Sequence, residues 1–341
     1  MSIVAAELKM YVSAVTNDTT SNGGVMSSTE VVGGVKNNVW PDVPQAERTA
    51  GSVKYRKVFC KVANAANLAL TTARIFVETP TPGDDTVVLI SGTHTDTQAE
   101  ADDYTRFYGA GTLDANVSAG AGTFAVNVES GNAYAGANLF QDGDLVRISD
   151  KTSVDASGGT VEFVRLASSN AVSWNGNKAT LTLASGVTLA NAYAAATPTR
   201  IASVIEVASV VGTLASWTET SSAGTYNEAT YPVTLDSIGG IEQTWTVTFS
   251  SGTAFGCSGN TVGSVGTGTK GTTFAPNNAT FSTPYFTLLG AGWGGTWANG
   301  ESLTFITHPA AHAVWQRRTV PAGASALSGD SVIVAISGET A

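Results

Sequence analysis

The chain has 341 residues, of which 13% are charged and 37 are glycine, and its 17 basic and 27 acidic residues give a formal net charge of −10. The charged fraction is far below the roughly 25% of ordinary globular proteins, and a negative chain repels phosphate backbones, so composition argues against a nucleic-acid-binding protein. The length is sufficient for one large β-domain or for two to three smaller ones.

Neither a secretory signal nor a membrane-spanning segment is predicted. The opening segment MSIVAAELKMYVSAVTNDTT lacks the basic stretch and the following apolar stretch of a signal peptide. No run reaches the roughly 18 to 20 apolar residues that are needed to cross a bilayer. We therefore expect the protein to be made in the cytoplasm of the producing cell and to have no membrane partner.

Residues 1–38 are predicted to form an N-terminal arm. A short apolar stretch, Ile3 to Val15, is followed by the polar, glycine-rich run Asn17 to Asn38. Such a segment buries little apolar surface by itself, so we expect it to pair with the body of the protein or with a neighbouring subunit.

Residues 39–108 begin the predicted body. The alternation begins at residue 58, where Val58, Cys60 and Val62 alternate with Phe59 and Lys61. The strand-like runs Arg74 to Glu78 and Thr86 to Ile90 follow. The turn sequence TPTPGDD between these two runs supplies proline and glycine where a tight turn needs them. This spacing of short strands is typical of an antiparallel β-sandwich.

Residues 109–216 are predicted to be an inserted β-domain, because glycines mark both of its ends and it has strands of its own. Helix signals are weak here and elsewhere, and the two candidates are Gln98–Tyr104 and Leu189–Ala196. The predicted strands of the insertion are Thr123–Val128, Asp144–Ile148, Val161–Leu166, Ala179–Leu183 and Arg200–Val207.

Residues 217–341 are predicted to complete the body. Trp245, Val247 and Phe249 alternate strictly with threonines, as in a half-buried strand. The last strand, Ser331–Ile336, is apolar on both faces and should be central or covered. The sequence thus predicts an all-β protein with little helix, a β-sandwich built from both chain ends around the inserted domain.

The histidines do not match a known catalytic or metal motif. His308 and His312 lie four residues apart, which on a helix would present two imidazoles to one zinc ion, but Pro309 lies between them and no HExxH glutamate is present. His94 has Asp96 nearby but no serine or cysteine nucleophile in a recognisable setting. We therefore expect no enzyme, no metal centre and no cofactor.

The cysteines and the paired carboxylates also have simple structural interpretations. Cys60 and Cys257 are not part of a CxxC pair, so we expect two buried free thiols, with a disulfide as the alternative. The Asp pairs lie in turn sequences such as PGDD and QDGD, where the side chain bonds the local backbone. A glycosidase pair or a loop-bound calcium ion are the alternatives. The pairs are Asp84/Asp85, Asp102/Asp103 and Asp142/Asp144.

Two tryptophans and a basic cluster are candidate contact residues. Trp293 and Trp297 lie among glycines, which either leaves the indoles exposed for contact or lets them pack inward. The basic cluster belongs to a first and a last body strand, and we expect its members to fix strand register or to contact neighbouring subunits. Its candidate residues are Tyr55, Arg56, Lys57, Arg317 and Arg318.

Several motifs resemble a family of tailed-bacteriophage virion proteins. The strongest are WPDVPQAERTAGSVKYRKVF near the start and THPAAHAVWQRRTVPAGA near the end. The segments TPGDDTVVL, THTDTQAE, FQDGDLVRISD, PNNATFSTPYFTL and GWGGTWANGESLTF also resemble it, so the similarity extends over residues 39–341. The resemblance implies a structural component of the virion without fixing its place in the particle.

On this basis we expect a virion protein, made in the host cytoplasm, that acts through contacts with copies of itself and with other virion proteins. A homo-oligomer in the tail or baseplate is the favoured interpretation, because a sandwich with an insertion suits ring-shaped assemblies. The alternatives are a capsid decoration or minor capsid protein, and a carbohydrate-binding tail protein that would use the Trp and Asp residues.

Overall fold

The computed structural model describes residues 2–128, 139–196 and 199–341. In these residues the chain is built mainly from antiparallel strands, with two short α-helices, α1 (Gln45–Ala50) and α2 (Gln98–Ala101), and 3-10 turns at Ala5–Glu7 and Gly290–Gly292. The predicted all-β fold class is therefore confirmed. Among the described residues no helix has the length and apolar character needed to span a membrane.

The strands, in chain order, are β1 (Leu8–Val15), β2 (Gly23–Glu30), β3 (Ser52–Val62), β4 (Leu70–Thr79), β5 (Thr86–Ser91), β6 (Ala110–Leu113), β7 (Thr123–Asn127), β8 (Leu145–Ser149), β9 (Val161–Arg165), β10 (Val172–Asn175), β11 (Lys178–Thr182), β12 (Arg200–Ser203), β13 (Ile205–Val210), β14 (Thr213–Thr220), β15 (Ala223–Tyr226), β16 (Thr234–Leu235), β17 (Gln243–Phe249), β18 (Ala254–Gly259), β19 (Gly263–Thr269), β20 (Asn277–Asn278), β21 (Thr283–Pro284), β22 (Phe286–Thr287), β23 (Trp293–Thr296), β24 (Ser302–His308), β25 (Ala311–Val320) and β26 (Ile333–Thr340).

Strands from both chain ends form a two-layer body. A five-stranded sheet with the order β2-β1-β3-β25-β5, here called the body sheet, faces a three-stranded sheet with the order β13-β4-β26. Their shared core contains Val58 and Val314 from the first sheet and Ile75, Val77 and Ile205 from the second. The prediction that both chain ends build one sandwich is correct for these strands.

The central pair of the body sheet joins residues that are 250 or more positions apart in sequence. Strands β3 and β25 are antiparallel from Ser52 opposite Val320 to Lys61 opposite Ala311. The N-terminal arm extends the same sheet, because β1 pairs with β3 and β2 pairs with β1. Within this chain the arm therefore pairs with the body.

The insertion is a seven-stranded sheet with the order β10-β11-β7-β6-β12-β8-β9. All five strands that the sequence predicts here are present within a few residues, although the last one is divided at Val204. Strand β13, which follows, pairs with β4 in the body rather than with the insertion. The sheet therefore spans residues 110–203, a shorter segment than the predicted 109–216.

Residues 213–308 form a third unit, with a core of their own. Its main sheet has the order β14-β24-β17-β18-β19, with the predicted Trp245-Val247-Phe249 strand, β17, at the centre. The buried core is mainly aromatic and includes Trp245, Phe255 and Phe305. We expected this stretch to belong to the body sandwich, and in fact only β25 and β26 return to the body.

Three local predictions also need correction. Residues 189–196 are not helical, and the helix that begins at Gln98 ends at Ala101 rather than Tyr104, while α1 was not predicted. The final strand begins at Ile333 and pairs only with β4, so it is an edge strand. Val334 and Ala335 nevertheless pack against different core clusters, so both faces of the strand are partly covered, although Ile333 is exposed.

Candidate functional site

The three histidines of the chain lie where the body sheet meets the third unit. His94 is in the loop that follows β5, His308 is the last residue of β24, and His312 is the second residue of β25. A two-residue turn connects β24 to β25, so the chain passes at this point from the third unit into the body sheet. Glu242 lies next to His308, because Gln243 at the start of β17 is the register partner of Thr307.

His94, Glu242 and His308 form a compact cluster. The Oε2 atom of Glu242 is 2.7 Å from Nδ1 of His308 and 3.6 Å from Nδ1 of His94. The two imidazole rings have centroids 5.2 Å apart and are tilted by 37°. One nitrogen or oxygen ligand atom from each residue lies within 4.8 Å of the other two. We refer to these three residues as the His-Glu-His cluster.

The cluster is partly shielded from water, and this changes its electrostatics. Burial, together with the neighbouring His308, His312 and Lys57, lowers the pKa of His94 to about 4. Burial also raises the pKa of Glu242, against the opposing effect of His308. At neutral pH the His94 imidazole is therefore uncharged, and its Nδ1 atom is buried without a hydrogen-bond partner among the described residues.

A buried ion pair holds the loop that carries His94. Asp96 lies 2.6 Å from Nζ of Lys57 on β3, and its other oxygen accepts hydrogen bonds from Trp315 Nε1 at 2.9 Å and Tyr104 OH at 3.0 Å. A Cβ atom at Gly92 would come within 2.9 Å of the Trp315 ring, so the chain can approach the indole this closely only with glycine. These contacts fix the loop two residues away from His94.

Comparisons of the chain with protein-family models, curated proteins and solved structures find no match. Two imidazoles and one carboxylate are ligands that zinc and related divalent ions accept, and three protein ligands leave a fourth position for water or another donor. Metal binding is thus the chemistry that the cluster can perform.

The sequence does not predict this cluster, because its three residues are far apart in the chain and form no local motif. The four-residue spacing of His308 and His312 would bring the two rings together only on a helix, and both residues lie on strands. The His312 ring contacts Ser91 Oγ at 3.0 Å. The partners of His308 are instead His94 and Glu242, which are 214 and 66 residues away from it. Nothing in the local sequence of Glu242 distinguishes it from an ordinary residue before a strand.

The predicted basic cluster lies at the β3–β25 pairing. Arg317 is opposite Tyr55, and its Nε donates to the Tyr55 hydroxyl at 2.8 Å. Arg318 donates to the carbonyl of Pro41 at 3.1 Å, stacks over Trp40 at 4.6 Å and approaches Glu47 at 4.0 Å. The expected meeting of basic residues from the first and last strands is therefore observed.

The rest of the cluster is also engaged within the chain. Arg56 is 2.7 Å from Asp18 and lies 5.1 Å from the centre of the Trp40 ring, and Lys57 forms the ion pair with Asp96. Both side chains are buried, so the contacts that they make fix the arm and the loops to the body sheet. A role in contacts between subunits stays a prediction.

The prediction of exposed aromatic contacts at Trp293 and Trp297 is wrong, and the inward-packing alternative is observed. The two residues are 8% and 1% exposed. Trp297 stacks on Phe249 with a centroid distance of 4.4 Å and an angle of 10°. Gly224 makes room for it, since a Cβ atom there would lie 2.3 Å from the indole.

Asp84, Asp142 and the two cysteines have the simple roles expected for them. The carboxylate of Asp142 accepts hydrogen bonds from the backbone amides of Asn170 and Ala171, and Asp84 accepts one from Ser325. These are loop-fixing contacts. Cys60 and Cys257 are both free and buried, in agreement with the prediction.

Proposed function

We propose that this chain is a structural component of a tailed-phage virion that acts through contacts with copies of itself and with other virion proteins. The observation that carries the proposal concerns the two motifs with the strongest resemblance to phage virion proteins. Their strand-forming parts lie on β3 and β25, the central antiparallel pair of the body sheet. The residues that resemble phage virion proteins therefore form the central strands of the body sheet, which supports a structural role for the chain.

The side chains of these motifs support a mechanical role. Trp40 lies between Arg56 and Arg318, and its Nε1 donates to Gln316 at 2.9 Å. Asp18 on the arm pairs with Lys54 and Arg56 at 2.7 Å in each case. These contacts fasten the arm and the segment before α1 onto the strand pair that joins the two chain ends.

Edge strands offer surfaces for assembly. In the third unit β14 and β19 lie at the two edges of the main sheet, and β2 lies at an edge of the body sheet. Most residues of β19 are exposed. An edge strand presents unpaired backbone N–H and C=O groups that can pair with another chain, so these edges are suited to repeated subunit contacts.

Among the alternatives, carbohydrate binding loses its main support because Trp293 and Trp297 are buried in the aromatic core. A cleft of about 330 Å³ does occur beside β5, and it is lined by Ile90, Ser91, Asp103, Tyr104, Thr105, Arg106 and Tyr108.

A position in the tail or baseplate is still favoured over a capsid-surface position, on the analogy between inserted-domain sandwiches and ring assemblies.

Quantitative mass spectrometry of purified particles of the encoding phage tests the proposal. We expect the chain in the particles at a fixed multiple of the other structural proteins, and a reconstruction of the particle then gives its position and symmetry. A chain that is abundant in infected cells and absent from the purified particles would refute the proposal.

A further inference from the structure

We propose that His94, Glu242 and His308 bind one divalent transition-metal ion of the zinc type, and that this ion fastens the third unit to the body sheet. The inference rests on the geometry of the His-Glu-His cluster and does not depend on the proposed function. It assigns a ligand site to residues that have no catalytic or motif role in the sequence.

The ligand atoms are spaced for a small ion. In a tetrahedral zinc site with bonds of about 2.0 to 2.1 Å, two ligand atoms are about 3.3 Å apart. The Glu242 oxygen is 3.6 Å from the His94 nitrogen and 2.7 Å from the His308 nitrogen, one slightly above and one slightly below that value. Shifts of less than about 1 Å in these side chains would bring both separations to the tetrahedral distance.

One ligand atom of the cluster has no hydrogen-bond partner that a metal would have to displace. The Nδ1 atom of His94 is buried and lacks a hydrogen-bond partner among the described residues. An orphaned buried nitrogen costs free energy unless something binds its lone pair. His308 would have to carry its proton on Nε2 so that its Nδ1 could coordinate, and Glu242 would supply the negative charge.

The surroundings of the cluster keep the ligands in place. Lys57 is a neighbouring cation, and its charge is balanced by Asp96 at 2.6 Å. On the other side, the pairing of β17 with β24 holds Glu242 and His308 at the end of the same strand pair. Two ligands come from one strand pair and the third from a loop that is held in place. Binding an ion would therefore cost little conformational entropy.

The position of the site explains what an ion would do. His94 belongs to the body, whereas Glu242 and His308 belong to the third unit, so one ion would bridge the two. Other described links at this junction include hydrogen bonds, such as Lys61 Nζ to the Ile238 carbonyl at 2.5 Å and Ser237 N to Asn67 Oδ1 at 2.7 Å, and the contact of Lys61 with the Phe281 ring. A coordinated ion would stabilise the junction in proportion to its binding free energy.

Calorimetric titration of the chelator-treated protein with zinc chloride tests the site directly. We expect one ion per chain with a dissociation constant in the micromolar range or below, and a rise in Tm when zinc is added. With cobalt(II) in place of zinc, a visible absorption band typical of a four-coordinate nitrogen and oxygen site should appear at the same stoichiometry.

The variants His94→Ala, His308→Ala and Glu242→Gln should each weaken zinc binding at least 10-fold. His312→Ala is the matched control, because His312 is the remaining histidine and its Nε2 contacts Ser91 Oγ and supplies no ligand atom to the cluster. It should bind zinc as the parent does. Glu242→Gln keeps the size of the side chain, so a loss of zinc binding in this variant reflects the loss of a ligand rather than of folding. Circular dichroism checks that each variant is folded.

Hydrogen exchange of the parent protein tests the bridge without any variant. Zinc should slow exchange in residues 92–97 and 240–243 together, since the two segments lie on opposite sides of the junction. Failure to bind zinc at micromolar concentration, or equal binding by His94→Ala and the parent, would overturn the proposal and leave the cluster as a hydrogen-bonded polar contact.

Discussion

Lys57 and Asp96 form an ion pair that is closed to solvent, with Nζ and Oδ1 2.6 Å apart and side chains that are 0% and 2% exposed. Burial lowers the pKa of the lysine, whereas hydrogen bonds from Lys57 and Trp315 outweigh burial and lower the pKa of Asp96. The pair connects β3 to the loop that carries His94. It therefore anchors, from within the body, the loop that meets Glu242 and His308 of the third unit.

Removing one partner of this pair should be costly. In Asp96→Ala the ammonium of Lys57 is left buried and unpaired, and such a change typically costs about 3 to 5 kcal/mol. Urea unfolding at pH 7 measures the loss. Asp103→Ala is the control, because Asp103 is an exposed carboxylate nearby in the chain and should have little effect. Equal stabilities of the two variants would contradict the prediction.

The two arginines of β25 should differ in importance. Arg318 is buried and contacts Trp40, Pro41 and Glu47, and a lysine cannot stack and donate in the same way. We expect Arg318→Lys to lower the free energy of unfolding by about 1 to 3 kcal/mol, and Arg317→Lys to have a smaller effect. The double variant should melt lower than either and be incorporated less into particles.

Arg165→Lys is the control for the arginine variants. Arg165 makes a two-pronged contact with Glu206 at 2.5 and 2.6 Å, but both side chains are 45% exposed. Surface pairs of this kind contribute about 0 to 1 kcal/mol. If Arg318→Lys unfolds like the parent, Arg318 does not fix the chain ends.

Gly224 tests the packing of the aromatic core. A Cβ atom at this position of β15 would lie 2.3 Å from the Trp297 ring, so Gly224→Ala should cost about 1 to 3 kcal/mol through overpacking. Gly256 is a matched strand glycine on β18 with no atom within 4 Å of its Cβ position. Gly256→Ala should leave stability unchanged or slightly higher, and differential scanning calorimetry of both variants makes the comparison.

Asp85 should make stability depend on pH. Burial and a hydrogen bond with Asp330 raise its pKa from 3.8 to about 7. Between these two values the unfolded chain has lost the proton and the folded chain keeps it, so folding takes up a proton and stability falls as pH rises. The contribution of Asp85 is thus fully present below pH 3.8 and is lost as pH rises through about 7.

The size of this pH effect is at most about 4 kcal/mol, from 1.36 kcal/mol for each pKa unit. Asp85→Asn keeps the shape of the side chain and cannot ionise, so its stability should fall less than that of the parent between pH 4 and pH 7. Chemical unfolding at several pH values measures the difference. Parallel pH profiles for parent and variant would show that Asp85 does not keep its proton in the fold.

The sequence by itself determined the local elements. The alternation of Trp245, Val247 and Phe249 with threonines predicts β17 closely, because in a strand alternate side chains point to opposite faces. The same physics locates the strands of the insertion. The pairing of both chain ends was also predictable, because β3 and β25 carry the concentrated basic residues of an otherwise weakly charged chain.

Only the tertiary structure decided which distant faces meet. Alternation in sequence shows that a residue is buried, but it does not show which element covers it. The local pattern therefore did not determine the separate aromatic core of residues 213–308 or the inward packing of Trp297. The His-Glu-His cluster is the clearest case. Its three side chains come from segments far apart in sequence, and only the packing of the third unit against the body sheet brings their ligand atoms within 4.8 Å.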